Sequence, residues 1–207
     1  MKPKAKRQTD PAIAQARREQ ILTAAAECFR RKGYHGAGMA EISKTAGMSA
    51  GHIYNYFESK EAIIESIIEK DMEEMFSIFQ KFEDHPGDVL AALLDGLNIG
   101  VQRHMDTGSC VIDLDMMAEA GRNVKVASLL RDMDTQARGR MRQLLTSERS
   151  ALKDIDELEL ESRINVIFSM MAGLLLRKLL YPELTEKTVL IALRPAMKTL
   201  LMPFDKA

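Results

Sequence analysis

The chain has 207 residues, 46% of them apolar and 29% charged, which excludes a disordered chain and leaves room for one or two buried cores. Its 29 Lys and Arg against 30 Asp and Glu give a net charge of −1, which taken alone argues against a nucleic-acid partner, because phosphate binding is driven by basic side chains displacing counterions. The charge is unevenly placed, however. Residues 1 to 60 hold eleven basic and five acidic side chains, and the remainder holds 18 basic and 25 acidic, so a basic first third is joined to an acidic body.

The first residues, MKPKAKRQTDP, are basic but lead into no apolar run, so they read as a flexible basic arm over 1–14 and not as a secretory signal. On DNA such an arm also suits a neighbouring minor groove or phosphate. Asp10-Pro11 is an N-cap followed by proline at the first helical position, and Ile21, Ala25, Cys28 and Phe29 recur at helical spacing behind it. Cys28 belongs to that apolar face as a small core residue. Lys32-Gly33 closes the helix with a cation and a helix-ending glycine.

From Gly33 to Lys60 the sequence runs GYHGAGMAEISKTAGMSAGHIYNYFESK. Met39 to Ala46 is one helix length, Gly47 can take the positive backbone angle of a tight turn, Ser49 can cap a following helix, and Ile53 can pack back on Ile42. This is a helix-turn-helix over about 38–57. Its second helix presents Ala50, Gly51, His52, Tyr54, Asn55 and Tyr56, in which small residues let the backbone approach a groove and His52 and Asn55 can reach base edges. Ser49, Tyr54, Tyr56 and Lys60 suit phosphate, since hydroxyls, an ammonium and free N–H groups at a helix start bind anions. Tyr54 and Tyr56 also read as core aromatics, Tyr54 in part, and His52 as an exposed histidine with no role.

Long proline-free stretches over 12–85 and 87–181 continue the helical pattern, with Ile63, Ile64, Ile67, Ile68, Met72, Met75, Phe76 and Phe79 next. Ser59 caps that helix, which links the DNA-binding head to the body. Asp84-His85-Pro86-Gly87 is the expected domain boundary, with shorter breaks near Thr107-Gly108-Ser109, Gly121-Arg122-Asn123, Ser147 to Asp156 and Tyr181-Pro182. No stretch alternates with period two, so the fold class is all-α.

Residues 15 to 75 resemble the DNA-binding domain of the tetracycline-repressor (TetR) family on a dense set of positions. These are Phe29, Gly33-Tyr34, Ile42-Ser43, Ala46-Gly47-Met48-Ser49, Gly51, Ile53-Tyr54, Tyr56-Phe57 and Ser59-Lys60-Glu61. The resemblance implies a homodimeric repressor with two recognition helices in adjacent major grooves of a palindromic double-stranded operator, and a divergent helical body over 82–207 that binds a small-molecule effector. It implies base or phosphate contacts from Ser49, Ala50, Gly51, His52, Tyr54, Asn55, Tyr56 and Lys60. One departure is visible: where many members place threonines before the second helix, this chain has Ala37 and Gly38.

The body carries no fixed motif. Cys110 to Arg122, CVIDLDMMAEAGR, is apolar over most of its circumference and carries three carboxylates, with Asp115 and Glu119 sharing a face. These acids read as solvated or capping groups, or as part of an effector pocket lined by Met105, Asp113, Met116, Met117, Glu119, Met133, Met141, Met170 or Met171. Flexible thioethers beside an acid would select lipophilic cations, as in control of efflux or stress genes. The last two helices, about 157–181 and 185–202 with Thr185 as an N-cap, carry surplus apolar surface that a two-fold mate can bury; the resemblance assigns them to dimerisation. Pro195 is placed to kink the second.

Cys28 and Cys110 form no CxxC pair and the four histidines no ligand spacing, so neither a disulfide framework nor a metal or other cofactor is expected, and a reducing cytoplasm fits. Arg177 and Lys178 interrupt the most apolar late stretch, so no membrane segment is expected. Gly47-Met48-Ser49-Ala50-Gly51 matches the G-x-S-x-G elbow of serine hydrolases, but the entering segment AEISKTA is helical where that elbow needs a strand. The sequence therefore indicates a ligand-responsive repressor and no enzyme. A transcriptional activator, a non-inducible DNA-binding protein and, remotely, a hydrolase using Ser49 are the alternatives.

Overall fold

The computed structural model describes residues 10–204, so the basic residues Lys2 to Arg7 lie outside the described residues. Among the described residues every regular element is a helix. The chain divides into two compact units between Glu69 and Lys70, well before the Asp84–Gly87 loop expected as the boundary. That loop is a turn inside the second unit. The Lys60–Glu83 helix runs unbroken across the division, and an uninterrupted helix gives sequence patterning nothing to mark.

In the first unit, helix α1 (Pro11–Gly36) starts where Asp10 accepts a hydrogen bond from the Ala12 amide, so the end of the segment expected as a flexible arm, 1–14, is already helical. Its regular part ends at Gly33, which takes φ 72, a value that a side chain with Cβ resists. Helices α2 (Met39–Thr45) and α3 (Ala50–Ile53) follow, then α4 (Lys60–Glu83). Ile21, Ala25, Cys28, Phe29, Ile42, Ile53, Phe57, Ile63 and Ile64 are almost wholly removed from solvent and form the core of this unit. Burying aliphatic and aromatic side chains of this size contributes about 1.5–3 kcal/mol each.

The second unit holds the later part of α4 with α5 (Val89–Asp95), α6 (Leu97–Met105), α7 (Thr107–Ala120), α8 (Val124–Leu145), α9 (Glu157–Leu180) and α10 (Glu186–Leu200). Helix α6 packs against α9 and α10, and α7 against α8 and α9, around a core that includes Val101, Leu145, Leu160 and Ile164. Two details of the expected breaks change. Thr107 to Ser109 form the first turn of α7, capped by Asp106 accepting from the Ser109 amide, so the break is confined to Asp106. A break at Gly96, between α5 and α6, carries no sequence warning; there the Phe82 ring lies where a Cβ would stand, 2.3 Å from it.

Arg163 on α9 is 2% exposed and fully engaged. It donates to the Glu159 carboxylate and to the carbonyls of Leu200 and Met202, and the Phe204 ring lies 3.7 Å from its guanidinium carbon. A buried cation is tolerated only when its donors are satisfied, and here they close the carboxy-terminal end of α10 against α9. Helix α10 continues through Pro195 to Leu200.

Candidate nucleic-acid interface

The turn between α2 and α3 is set by Gly47, whose φ of 65 is the left-handed conformation glycine enters without steric cost. Ser49 then caps α3, its hydroxyl accepting from the His52 amide at 3.2 Å. This is the physical role of the serine in the G-x-S-x-G match, and the segment entering the turn is helix α2, not a strand. Ile42 on α2 and Ile53 on α3 are both fully buried, and the two helices pack together as the sequence implies.

The consequence of burying Ile53 and Phe57 is that the intervening and preceding positions face solvent. Ser49, Ala50, Gly51, His52, Tyr54 and Asn55 are all exposed, while Tyr56 and Lys60 are half-buried. Tyr54, at 52% exposure, is not a core aromatic in any part. The His52 ring stands edge-on to Tyr56, with centroids 5.4 Å apart, so two of the expected contact residues share one face. A Cβ added at Gly51 would meet nothing within 4 Å, so packing inside the protein does not require a glycine there. A surface approaching the helix closely would.

Lys60 is already engaged: its ammonium donates to the Tyr34 carbonyl at 2.8 Å and lies 4.2 Å from the centre of the Tyr34 ring. It can reach a phosphate only with the donors left over. Glu61 behind it is held below the usual carboxylate range, first by a backbone N–H, then by Ser59 and Tyr34. Glu41 on α2 is likewise lowered, by Lys32 above all and by Arg31, both of which pair with it. The surplus positive charge of the head is therefore partly neutralised away from α3. Gly38, at the N-cap of α2, makes no side-chain cap bond, as the departure from the threonine pattern implies.

Sequence reasoning missed two residues of this region. Arg18 on α1 donates to the Tyr56 carbonyl at 2.8 Å and to the Ser66 hydroxyl at 3.3 Å, and Gln20 donates to the Ala46 carbonyl at 2.8 Å. Their targets are backbone atoms distant in sequence, which leave no pattern in residue types.

The family profile described as bacterial regulatory proteins, tetR family, matches residues 21–67, which spans the later half of α1 through the start of α4. The chain is 34% identical over 125 residues to the HTH-type transcriptional regulator UidR of Escherichia coli K12, over 58% of this chain and 59% of UidR. The matched segment thus spans about three-fifths of that relative's length. Residues 21–67 form a TetR-family DNA-binding domain. Among solved structures of that fold, Salmonella enterica GusR superposes with a TM-score of 0.73 at 24% identity, covering 95% of this chain and 99% of its own. The fatty acid degradation regulator FadR from Bacillus halodurans superposes with a TM-score of 0.74 at 20% identity, covering 94% and 97%. The relatives matched over this region are named as HTH-type transcriptional regulators.

The second unit divides the expected effector residues. Met105, Met141, Met170 and Met171 join the central core of the second unit, and the Met171 methyl packs against Gly100. Met116 is buried on α7 outside that core, Met133 is half-buried on α8, and Met117 is 57% exposed. Met117 follows Met116 by one residue, and a helix turns adjacent positions apart. Glu119 is buried and accepts from the Asn123 side chain at 3.4 Å, so the end of α7 uses it as a local anchor.

Asp113 is different. Its carboxyl is pushed up to about 6 by burial first, then by Asp71, while Arg103 pulls the other way. Arg103 on α6 pairs with Asp71 and Glu74 of α4, and the adjacent His104, bonded to the Gly100 carbonyl at 2.8 Å, is lowered by burial. Among the described residues no group of three or more His, Cys, Asp or Glu could hold a metal ion, and no helix is long and apolar enough to cross a membrane.

Proposed function

We propose that this chain is a cytoplasmic, ligand-responsive repressor that binds a palindromic operator as a homodimer and is released by a small lipophilic or cationic effector. The observation that carries the DNA-binding half is the outward face of Ser49 to Asn55, a run of hydroxyl, imidazole, amide and bare backbone fixed from below by buried Ile53 and Phe57. His52 and Asn55 read base edges, while Ser49, Tyr54, Tyr56 and Lys60 hold phosphate.

The dimer half rests on surface chemistry. Val166, Leu176, Leu180 and Tyr181 on and after α9, with Ile191 on α10, are exposed, Ile191 at 71%. A copy of the same face covers them as a four-helix bundle.

The effector half rests on Asp113. A half-buried acid beside Asp71 and Asp106, with Arg103 as the local counter-charge, favours a cation with apolar bulk over an anion. The effector releases DNA only to the extent that it prefers a conformer whose recognition helices no longer match successive major grooves, roughly 34 Å apart.

Operator release on titration with cationic dyes, with Asp113→Asn shifting the midpoint, tests the ligand. Unchanged operator binding at saturating dye, with stable dimers in sedimentation, would sink the effector assignment and leave the DNA-binding one standing.

A further inference from the structure

Helix α3 is a single turn, Ala50 to Ile53, followed by the turn residues Tyr54 to Tyr56. Backbone bonds continue past it, from the Tyr54 amide to the Ala50 carbonyl and from the Tyr56 and Phe57 amides to the Ile53 carbonyl, so the segment is braced within itself. An element this short still takes its orientation from what it is tied to. The Ser49 cap and the buried Ile53 fix where the turn starts and which side is down. They do not fix the pitch of its two ends.

We propose that Arg18 and Gln20 on α1 are positioning residues for the recognition segment, each holding one of its ends through a main-chain carbonyl. At the entry, Gln20 donates to the Ala46 carbonyl at 2.8 Å, immediately before Gly47 turns the chain. At the exit, the Arg18 guanidinium donates to the Tyr56 carbonyl at 2.8 Å and to Ser66 on α4 at 3.3 Å, and lies 4.3 Å from the centre of the Phe57 ring. One planar group thus ties α1, the end of the recognition segment and α4.

The exit is where such a tie matters most. A cleft of about 400 Å³ lies there, with Arg18, Tyr54, Asn55, Phe57, Glu65 and Ser66 among its lining. Tyr54 and Asn55 are exposed beside that space, so the Arg18 bonds and its contact with the Phe57 ring add to the packing of buried Ile53 and Phe57 in holding the exit. Lysine cannot replace this arginine, because an ammonium lacks the planar fork that stacks and donates in two directions at once.

The inference rests on the DNA-binding part of the proposed function, and the experiment separates the two. The probes are the genomic duplex fragment best retained by the wild-type protein and a mixed-sequence duplex of equal length, titrated over a salt series. Arg18→Ala is expected to lose about tenfold or more of its affinity for the selected fragment, the size of effect one misplaced base contact produces. Its affinity for mixed-sequence duplex and the slope of affinity against salt should stay at the wild-type values. Arg18→Lys should recover only part of the loss, and Gln20→Ala and Ser66→Ala should show smaller losses of the same kind.

If affinity falls equally on both duplexes and the salt slope becomes shallower by about one, Arg18 is a phosphate contact and the proposal is overturned. Unchanged preference in Arg18→Ala overturns it too. Should thermal unfolding show that Arg18→Ala does not fold, Arg18→Lys and Gln20→Ala decide by the same criteria. A wild-type protein with no preference for any fragment brings down the DNA-binding reading itself, and this inference with it.

Discussion

The outer face of α3 and the outer faces of α9 and α10 are both open to solvent, yet they are built from opposite materials. Around α3 the exposed groups are Ser49, Ala50, Gly51, His52 and Asn55, which carry hydrogen-bonding capacity and little apolar area. On α9 and α10 they are Val166, Leu176, Leu180 and Ile191, which carry area and no hydrogen bonds. Water satisfies the first face and is expelled from the second, so the first is suited to exchange its water for a polar duplex and the second to be covered by apolar surface. The two differ in rigidity as well. Helix α9 is 24 residues long and is pinned at its partner's end by Arg163, whereas α3 is one turn whose ends are held by side chains of α1.

That contrast can be broken first at its most buried charge. Arg163→Met removes a cation on which Glu159 and the carbonyls of Leu200 and Met202 depend, and should lower the unfolding free energy by about 3 kcal/mol. Because the loss falls on the end of α10, dimer content in sedimentation should fall with it while the affinity of the remaining folded dimer for DNA is retained. A fully stable Arg163→Met dimer would show that the closure of α10 carries no such weight.

On the polar face the expected signs reverse: affinity changes and stability does not. His52→Ala and Asn55→Ala should each weaken specific duplex binding by about 1–3 kcal/mol, with relaxed preference at one base position, while the melting temperature stays within error. Both side chains are exposed, so their removal leaves no cavity. A drop in melting temperature without a change in affinity would place them in the fold and not at the interface.

These expectations depend unequally on what could be read from residue types. The head was legible almost throughout, because capping residues, a turn glycine and buried Ile42, Ile53 and Phe57 are local features with fixed spacing. The ties from Arg18 and Gln20 were not, since a backbone carbonyl accepts from any donor that reaches it. In the body the helices were legible, but a helix apolar all round gives no phase, so the sequence did not separate buried Met116 from exposed Met117. The division at Glu69–Lys70 and the break at Gly96 were hidden in unbroken helical patterning.

A smaller effect sharpens the comparison inside the body. Asp113 titrates near 6 in the folded protein against 3.8 as an ordinary carboxyl, so the folded state binds its proton more tightly. Stability from this group is therefore greatest at low pH, declines as pH rises from below 4 to above 6, and stays reduced beyond that. Asp113→Asn should be more stable than wild type at pH 7 and should lose that part of the pH dependence in denaturant titrations. Identical pH profiles for the two proteins would show that the carboxyl is not perturbed.

The smallest expected change lies at the start of α2. Gly38→Ser supplies the missing cap at a position where an added Cβ meets nothing, and should raise stability by a few tenths of a kcal/mol. Its hydroxyl also adds one anion-binding group to the head, so a slight gain in duplex affinity should accompany it. A loss of stability would mean that the extended backbone at Gly38 depends on glycine.

The central claim is that duplex recognition resides in the face from Ser49 to Asn55 of a paired head. A footprint of the purified protein on its selected genomic fragment tests it most directly. Two protected half-sites related by a two-fold axis and one helical turn apart, lost in His52→Ala/Asn55→Ala at unchanged dimer content, are the predicted result. Failure to retain any duplex at low salt, or a footprint that survives both substitutions unaltered, would contradict it.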